Sequence, residues 1–191
     1  NYIATTAREL IKDGASPSGI AVLFRTNFQS RALEEAFLTH SIPYQVLGVR
    51  FFERKEIKDV LSYLRLALNT DSIADLTRVI NVPTRGIGKV TLLKIVEGRR
   101  NEITGATAHK VAAFDDMMMD IAAYAKKKRV SETIKFILKR TGLEDVLKKG
   151  GEEELERLEN IRELVTLGAR YDEYEPEEAV ERLLEDAALQ S

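Results

Sequence analysis

The chain has 191 residues, of which 44% are hydrophobic, and it contains no cysteine and no tryptophan. This length fits one domain or two small ones and is enough to bury a core. The lack of cysteine excludes disulfides, thiolate metal sites and thiol nucleophiles. His40 and His109 lie 69 positions apart, which disfavours a histidine metal site. No apolar run approaches a membrane span and no secretion signal opens the chain, so a soluble, cytoplasmic protein without membrane contact is expected.

The net charge of −2 conceals an uneven distribution along the chain. Residues 1–141 contain 23 Lys+Arg and 15 Asp+Glu, whereas residues 142–191 contain 6 and 16. The first part therefore carries +8 and the second −10. Such asymmetry concerns the partners of a protein more than its fold, and a basic body suits a polyanion.

In chain order, apolar residues first recur with helical spacing from Tyr2 to Lys12, and Gly14 is the expected C-cap of that helix. Residues 20–24 form a continuous apolar run of strand length. Residues 29–41 again have helical spacing, and residues 44–48 are typical of a second short strand. These lengths predict one right-handed βαβ unit. Because one such unit cannot bury both faces of its strands, either the helices cover it or the rest of its sheet is missing, which would make the chain a fragment.

Beyond residue 48 every periodic segment is helical. The apolar stripes cover residues 54–68, 73–80, 91–97, 106–125, 131–142, 155–165 and 176–187. Ser131 is the expected N-cap of one helix, Gly142 its stop, and Pro176 a first-turn residue. The predicted fold is mainly α. It has a small N-terminal βαβ, a partial α/β motor domain, in residues 1–70. An all-helical domain with a helix-hairpin-helix-like turn follows in residues 71–191.

That turn is the sequence Val82-Pro-Thr-Arg-Gly-Ile-Gly-Lys-Val-Thr91, which lies between two helical stripes. A Gly-x-Gly turn lets backbone N–H groups at a helix N-terminus reach an anion. The candidate duplex-binding residues are Thr84, Arg85, Gly86, Ile87, Gly88, Lys89 and Thr91, with Ile87 as the apolar plug rather than a contact. The alternative is an ordinary helix–helix turn with solvated charges. A nucleotide-binding P-loop is excluded, since Val90 follows Lys89 and a helix precedes the turn.

Two further segments could touch nucleic acid. Arg25, Thr26 and Asn27 follow the first predicted strand, where open α/β sheets bind ligands, and their donors suit a phosphate backbone. The alternative makes Asn27 a helix N-cap. In the second segment Arg50 and Arg54 flank Phe51 and Phe52, and aromatic rings among cations can stack on unpaired bases. The alternative places the rings in the core; it is preferred for Phe52, whereas Phe51 is left open.

Several blocks together closely resemble one protein family. The blocks are Ile20-Ala-Val-Leu-Phe-Arg-Thr-Asn-Phe-Gln-Ser-Arg-Ala-Leu-Glu-Glu35, Ile42-Pro-Tyr44, Arg50-Phe-Phe-Glu-Arg-Lys-Glu-Ile-Lys-Asp-Val-Leu-Ser-Tyr-Leu-Arg65 and Arg78-Val-Ile-Asn-Val-Pro-Thr-Arg-Gly-Ile-Gly88. Their order and gaps are similar to those of UvrD/PcrA/Rep-type superfamily 1 DNA helicases. Arg157-Leu-Glu-Asn-Ile-Arg-Glu-Leu-Val165 and the closing 183–189 segment resemble the later part of the same region. The resemblance is weaker from about residue 91 to residue 146.

The resemblance implies part of the 2A motor domain followed by the inserted 2B domain. It implies that Arg25 and Asn27 lie on the single-strand track and that Gly86, Ile87 and Gly88 with their flanks grip duplex DNA. The parent would be an ATP-dependent 3′-to-5′ DNA helicase of the bacterial cytoplasm. Its ATP, Mg²⁺ and remaining motor domains would lie outside this region. No P-loop or other ATP motif occurs here, so the chain is expected to bind DNA junctions but to be inactive as an ATPase, and to carry no metal.

An alternative of another class stays open. The acidic helices at 152–165 and 177–189 could dock a partner, such as a repair protein, or the rest of a helicase, without direct DNA contact. A shift of junction DNA at low salt would favour the DNA-binding hypothesis, whereas capture of repair proteins without any shift would favour the interaction module.

Overall fold

A computed structural model describes residues 2–24, 29–46 and 48–190, and within these ranges the only regular elements are helices. The α-helices are α1 (Tyr2–Lys12), α2 (Gln29–Thr39), α3 (Lys55–Leu68), α4 (Ile73–Val79), α5 (Lys89–Val96), α6 (Gly105–Ala125), α7 (Val130–Thr141), α8 (Leu143–Lys148), α9 (Glu152–Gly168) and α10 (Pro176–Leu189). Short 3₁₀ turns occur at Pro17–Gly19, Phe51–Glu53, Arg100–Glu102 and Ala169–Tyr171. None of the described helices has both the length and the apolarity that crossing a bilayer requires.

The predicted N-terminal βαβ unit is wrong. Residues 20–24 and the described residues of 44–48 form no strand, although the intervening α2 is present. A strand exists only when its N–H and C=O groups pair with a neighbouring strand, and a five-residue apolar run does not identify such a neighbour. Here the run is an extended segment beside α1 and α2, with Leu23 94% exposed. The prediction of a mainly α protein is correct.

The large core is built around α3, which is buried on nearly all sides. Ile57, Val60 and Leu64 have no exposed surface, and the helix packs against α4, α6, α7, α9 and α10. Its buried residues include Glu56, Asp59 and Ser62 besides the aliphatic side chains, and each fully buried aliphatic side chain contributes roughly 1.5–3 kcal/mol. The apolar spacing predicted this helix, whereas its central position follows from its contacts with five other helices.

A second, smaller cluster joins α1 to α2 and consists of Ala4, Ala7, Phe37 and Ile42. The helix α3 contributes to the large cluster together with Phe51 and Phe52. The packing therefore separates residues before and after about 50, whereas the predicted units were 1–70 and 71–191. That two-unit division stays a prediction, because packing clusters do not measure whether either part folds alone.

Buried polar side chains connect the two clusters. The guanidinium of Arg54 donates to Ser30 Oγ of α2 and to Asn160 Oδ1 of α9, both at 2.8 Å. Arg31 of α2 donates from Nε to Glu163 Oε1 of α9 at 2.6 Å. A buried arginine is tolerated when its donors are satisfied in this way. The contacts fix α2 against α9, more than a hundred residues away in sequence.

The ends of the helices agree with the sequence in most places. Gly14 and Gly142 have φ of +100° and +77°, as expected for glycines that end α1 and α7, and Pro176 begins α10. The prediction of Ser131 as an N-cap is wrong, since Arg129 precedes the first residue of α7 and offers no side-chain acceptor. Asp172 serves instead, accepting from Ser131 N at 3.1 Å and from Ser131 Oγ at 2.6 Å.

Candidate nucleic-acid interface

The turn between α4 and α5 is organised by the side chain of Asn81. Its Oδ1 accepts from the backbone N–H groups of Arg85 at 3.2 Å and Ile87 at 3.1 Å, while its Nδ2 donates to the carbonyl of Ile87. One amide thus satisfies three backbone groups that the turn itself leaves unpaired. The result is a loop with a defined shape rather than a loose connection. Sequence reasoning missed Asn81, because its contacts lie four and six positions along the chain, beyond the two-residue reach of an ordinary asparagine turn.

The guanidinium of Arg85 points into the protein. Its Nη1 lies 3.0–3.3 Å from four carbonyl oxygens of residues 79, 80, 82 and 83, and its Nη2 donates to Tyr63 Oη at 2.8 Å. The group also lies over the Phe114 ring, 5.4 Å from its centroid. Two of these carbonyls lie at the C-terminus of α4, where helical partners run out, and two lie in the turn that follows it. That Arg85 contacts a duplex stays a prediction, but its charged donors are turned toward α4.

Tyr63 completes the support behind the turn. Burial raises the pKa of Tyr63 to about 12, so its hydroxyl keeps its proton and can donate to the carbonyl of Val79 or Val82. The same oxygen accepts from Arg85. A residue of the central helix α3 therefore holds the turn in register with the core.

The outer side of the turn differs in character. Ile87 is only 2% exposed, which agrees with its predicted role as an apolar plug. Gly86 has φ +68°, a conformation that favours glycine. Thr84, Gly88 and Lys89 are exposed and Thr91 is half-buried. Ile87 therefore points into the core while the polar residues of the motif stay on the surface. The turn exposes both its backbone and the Lys89 side chain to solvent.

The start of α5 offers uncommitted backbone donors. Its N-cap is Gly88, which has no side chain to accept from the first-turn N–H groups. These groups and the helix dipole favour an anion, and the Lys89 side chain adds a full positive charge at the same place. Phosphate oxygens meet both requirements. The arrangement can therefore bind a phosphate group without reading a base.

A cation from another helix also lies at the turn. Lys110 of α6 is exposed, and its Nζ lies 3.4 Å from the carbonyl oxygen of Gly86. Nothing in the sequence pattern indicates this contact, because 24 positions separate the two residues. The turn therefore has two exposed ammonium groups among the described residues around it, those of Lys89 and Lys110.

The remaining predicted residues lie elsewhere. Phe51 is 2% exposed and packs edge-on against Phe52 at 5.1 Å, so its ring is part of the core and does not face solvent. Arg54 is buried with the partners described above, whereas Arg50 is exposed. Arg25, Thr26 and Asn27 lie outside the described residues. The structure therefore brings together the 84–91 set, with Lys110, and does not add the 50–54 set to it.

Comparisons with family models and with individual proteins agree on one family. Residues 1–105 match the family model of the UvrD-like helicase C-terminal domain. The ATP-dependent DNA helicase PcrA of Staphylococcus epidermidis (strain RP62A) is 33% identical over 98% of this chain and 28% of its own length. DNA helicase II of Escherichia coli is 34% identical over 94% and 28%, respectively. PcrA of Bacillus subtilis is 33% identical over 90% and 26%. The chain thus spans little more than a quarter of the length of these relatives.

Proposed function

Because this chain belongs to the UvrD-like helicase C-terminal domain family, we propose that it is the DNA-binding accessory region of an ATP-dependent 3′-to-5′ DNA helicase. In this proposal the chain grips duplex DNA beside the junction with single-stranded DNA. The parent motor hydrolyses ATP while this region holds the duplex and sets its angle. The observation that carries the proposal is the uncapped start of α5, where exposed Lys89 lies beside backbone N–H donors.

The internal contacts of the turn support this function. A phosphate site needs donors that keep their position when the ligand arrives, because ordering a mobile loop would cost binding free energy. Asn81 ties the turn across its ends and Ile87 anchors it in the core. Arg85 holds its rear side through the carbonyls of α4. A preorganised backbone turn of this kind suits binding that depends on phosphates rather than on sequence.

ATP and Mg²⁺ belong to the parent helicase in this proposal. The Gly88-Lys89 pair does not fit a triphosphate site, since the element before the turn is α4 and Val90 stands where a P-loop has a hydroxyl residue. We therefore assign no nucleotide chemistry to this chain. Its partners would be DNA and the remaining motor domains, in the bacterial cytoplasm where such DNA lies.

The proposal is tested by replacing Lys89 with Ala and measuring affinity for a single-strand/duplex junction across a salt series. Each phosphate contact contributes about 0.9 to the slope of log K against log salt, so Lys89→Ala should flatten the slope by about that amount and weaken binding at low salt. The matched control is Lys149→Ala, since Lys149 is an exposed lysine beside α8, which packs against α7 and α9.

Equal slopes for Lys89→Ala, Lys149→Ala and the unmodified chain would remove Lys89 from the interface. No shift of junction DNA even at low salt would overturn the DNA-binding function as a whole. The interaction-module alternative would then gain support. The interaction-module alternative has less support than DNA binding, because several carboxylates of the acidic helices pair within their own helix, as in Glu153–Arg157 and Glu178–Arg182.

A further inference from the structure

The space above Gly86 is occupied by an ammonium group. A Cβ built on Gly86 would lie 2.8 Å from Lys110 Nζ, closer than such atoms approach in proteins. The tip of the Lys110 side chain therefore lies against the backbone of Gly86, and a side chain at this position would displace it. The backbone carbonyl of Gly86 accepts one hydrogen bond from this amine, at 3.4 Å.

We propose that Lys110 is a second phosphate-binding cation of this site, contributed by α6 from outside the segment formed by α4, the turn and α5. The inference rests on the proposed duplex-binding function and deepens it. It assigns the site a composite construction, with Lys89 and the N–H groups at the start of α5 on one side and Lys110 on the other.

The chemistry of the amine supports this role. A lysine ammonium has three donors and no acceptor. The contact with Gly86 uses one donor and orients the group, and the exposed position of Lys110 leaves the others directed to solvent. An amine held in place by a backbone carbonyl loses less side-chain freedom on binding than a free surface lysine. A duplex phosphate beside the turn would therefore meet two cations supplied by separate helices.

Lys110 extends from a helix that is packed into the large core. α6 is a 21-residue helix whose Val111, Phe114 and Met117 lie in the large core, so its backbone is fixed relative to α3 and α4. Phe114 also lies beneath the guanidinium of Arg85, which connects α6 to the rear of the same turn. The two sides of the composite site thus pack on the same hydrophobic core.

The test compares Lys110→Ala, Lys110→Arg and Lys149→Ala in the full 191-residue chain, with a single-strand/duplex junction as the probe. Lys110→Ala should flatten the salt dependence of log K by about 0.9, Lys110→Arg should keep the slope, and Lys149→Ala should leave it unchanged. Thermal unfolding of each variant shows whether the fold is retained, and a purely structural role for Lys110 would not produce a change in slope with unchanged stability.

A Lys110→Ala slope equal to that of Lys149→Ala would overturn the inference. If Lys89→Ala flattens the slope in the same series, the proposed function stands without Lys110. If the unmodified chain binds no junction at low salt, both fail together. A double variant with both Lys89→Ala and Lys110→Ala distinguishes two independent phosphate contacts from one shared contact. Independent contacts predict that the slope of log K against log salt falls by about 1.8. A fall of about 0.9 in the double variant would contradict the second contact.

Discussion

Arg85 shows how the environment of one side chain decides its role. In the sequence it is a cation beside a Gly-x-Gly turn, where the alternatives are phosphate binding and a solvated charge. In the structure its guanidinium faces several backbone carbonyls at the end of α4, with Tyr63 and Phe114 beside it. Five donors on a planar group can satisfy several acceptors at once, which a lysine cannot do.

Replacing Arg85 with Ala should therefore lower the free energy of unfolding by about 1.5–3 kcal/mol, the range for hydrogen bonds to a charged group. Urea unfolding measures the change as a lower midpoint. Arg85→Lys should recover little of it, because one ammonium cannot reach the same set of carbonyls. The control is Lys89→Ala, whose exposed side chain should leave the midpoint unchanged. Equal midpoints for Arg85→Ala and the unmodified chain would show that the internal contacts contribute nothing to stability.

At the scale of elements, the start of α7 depends on a distant residue. Its first turn has no local side-chain cap, and Asp172, 41 positions later, accepts from both Ser131 N and Ser131 Oγ. An anion at this end also interacts favourably with the helix dipole. The 3₁₀ turn Ala169–Tyr171 after α9 brings Asp172 to this position. Capping of one helix is thus coupled to the packing of α9 against α7.

Asp172→Ala should cost about 1 kcal/mol of stability, as the loss of an N-cap acceptor typically does. Asp172→Asn should cost less, since its amide oxygen still accepts from one of the two donors. Chemical denaturation gives both values, and hydrogen exchange should increase first in the opening turn of α7. Glu173→Ala, at the exposed neighbouring position, serves as the control. A loss of the same size in Glu173→Ala would mean that general charge, and not capping, is responsible.

For the whole molecule, the decisive contacts join the small N-terminal cluster to the helical bundle. Arg54 connects α2 and α9 from a buried position, and Arg31 pairs with Glu163. Near the surface Glu35 of α2 pairs with Arg170 and with Arg31. The hydrogen bond from Arg170 holds the pKa of Glu35 below its usual value of 4.5. The attachment of α2 to α9 is therefore partly electrostatic and should depend on pH.

The sign of this dependence follows from the lowered pKa. The stabilisation from Glu35 is present above pH 4.5 and is lost as the pH falls through the lower pKa of the folded state. Glu35→Gln should be less stable than the unmodified chain at pH 7, by less than about 1 kcal/mol because the carboxylate is 40% exposed. The difference should shrink below pH 4.5, as measured by thermal unfolding at several pH values. A Glu35→Gln deficit that persists unchanged in acid would contradict the attribution.

Most of the helices could be predicted from the sequence, as could one detail of the candidate site, whereas α8 lies outside every predicted stripe. Apolar spacing indicated α1, α3, α6 and α10, because the apolar face of a helix is visible from the spacing of residues close together in sequence. The burial of Ile87 was also predictable, since it is an apolar residue between two glycines in a polar turn and would otherwise be exposed to solvent. Membership of the helicase family was recognisable from blocks of residues that are also local in sequence.

Other features depended on which segments meet in the folded chain. The run at 20–24 has the composition of a strand, but a strand requires a hydrogen-bonded neighbour that composition does not specify, and the described chain supplies none. The contact of Arg85 with Tyr63, the cap from Asp172 and the arrival of Lys110 at Gly86 likewise depend on pairs 22 to 41 positions apart. Local sequence encodes periodicity and turns. Packing in three dimensions selects the partner of each polar group, because only the folded chain determines which donors and acceptors lie within hydrogen-bonding distance.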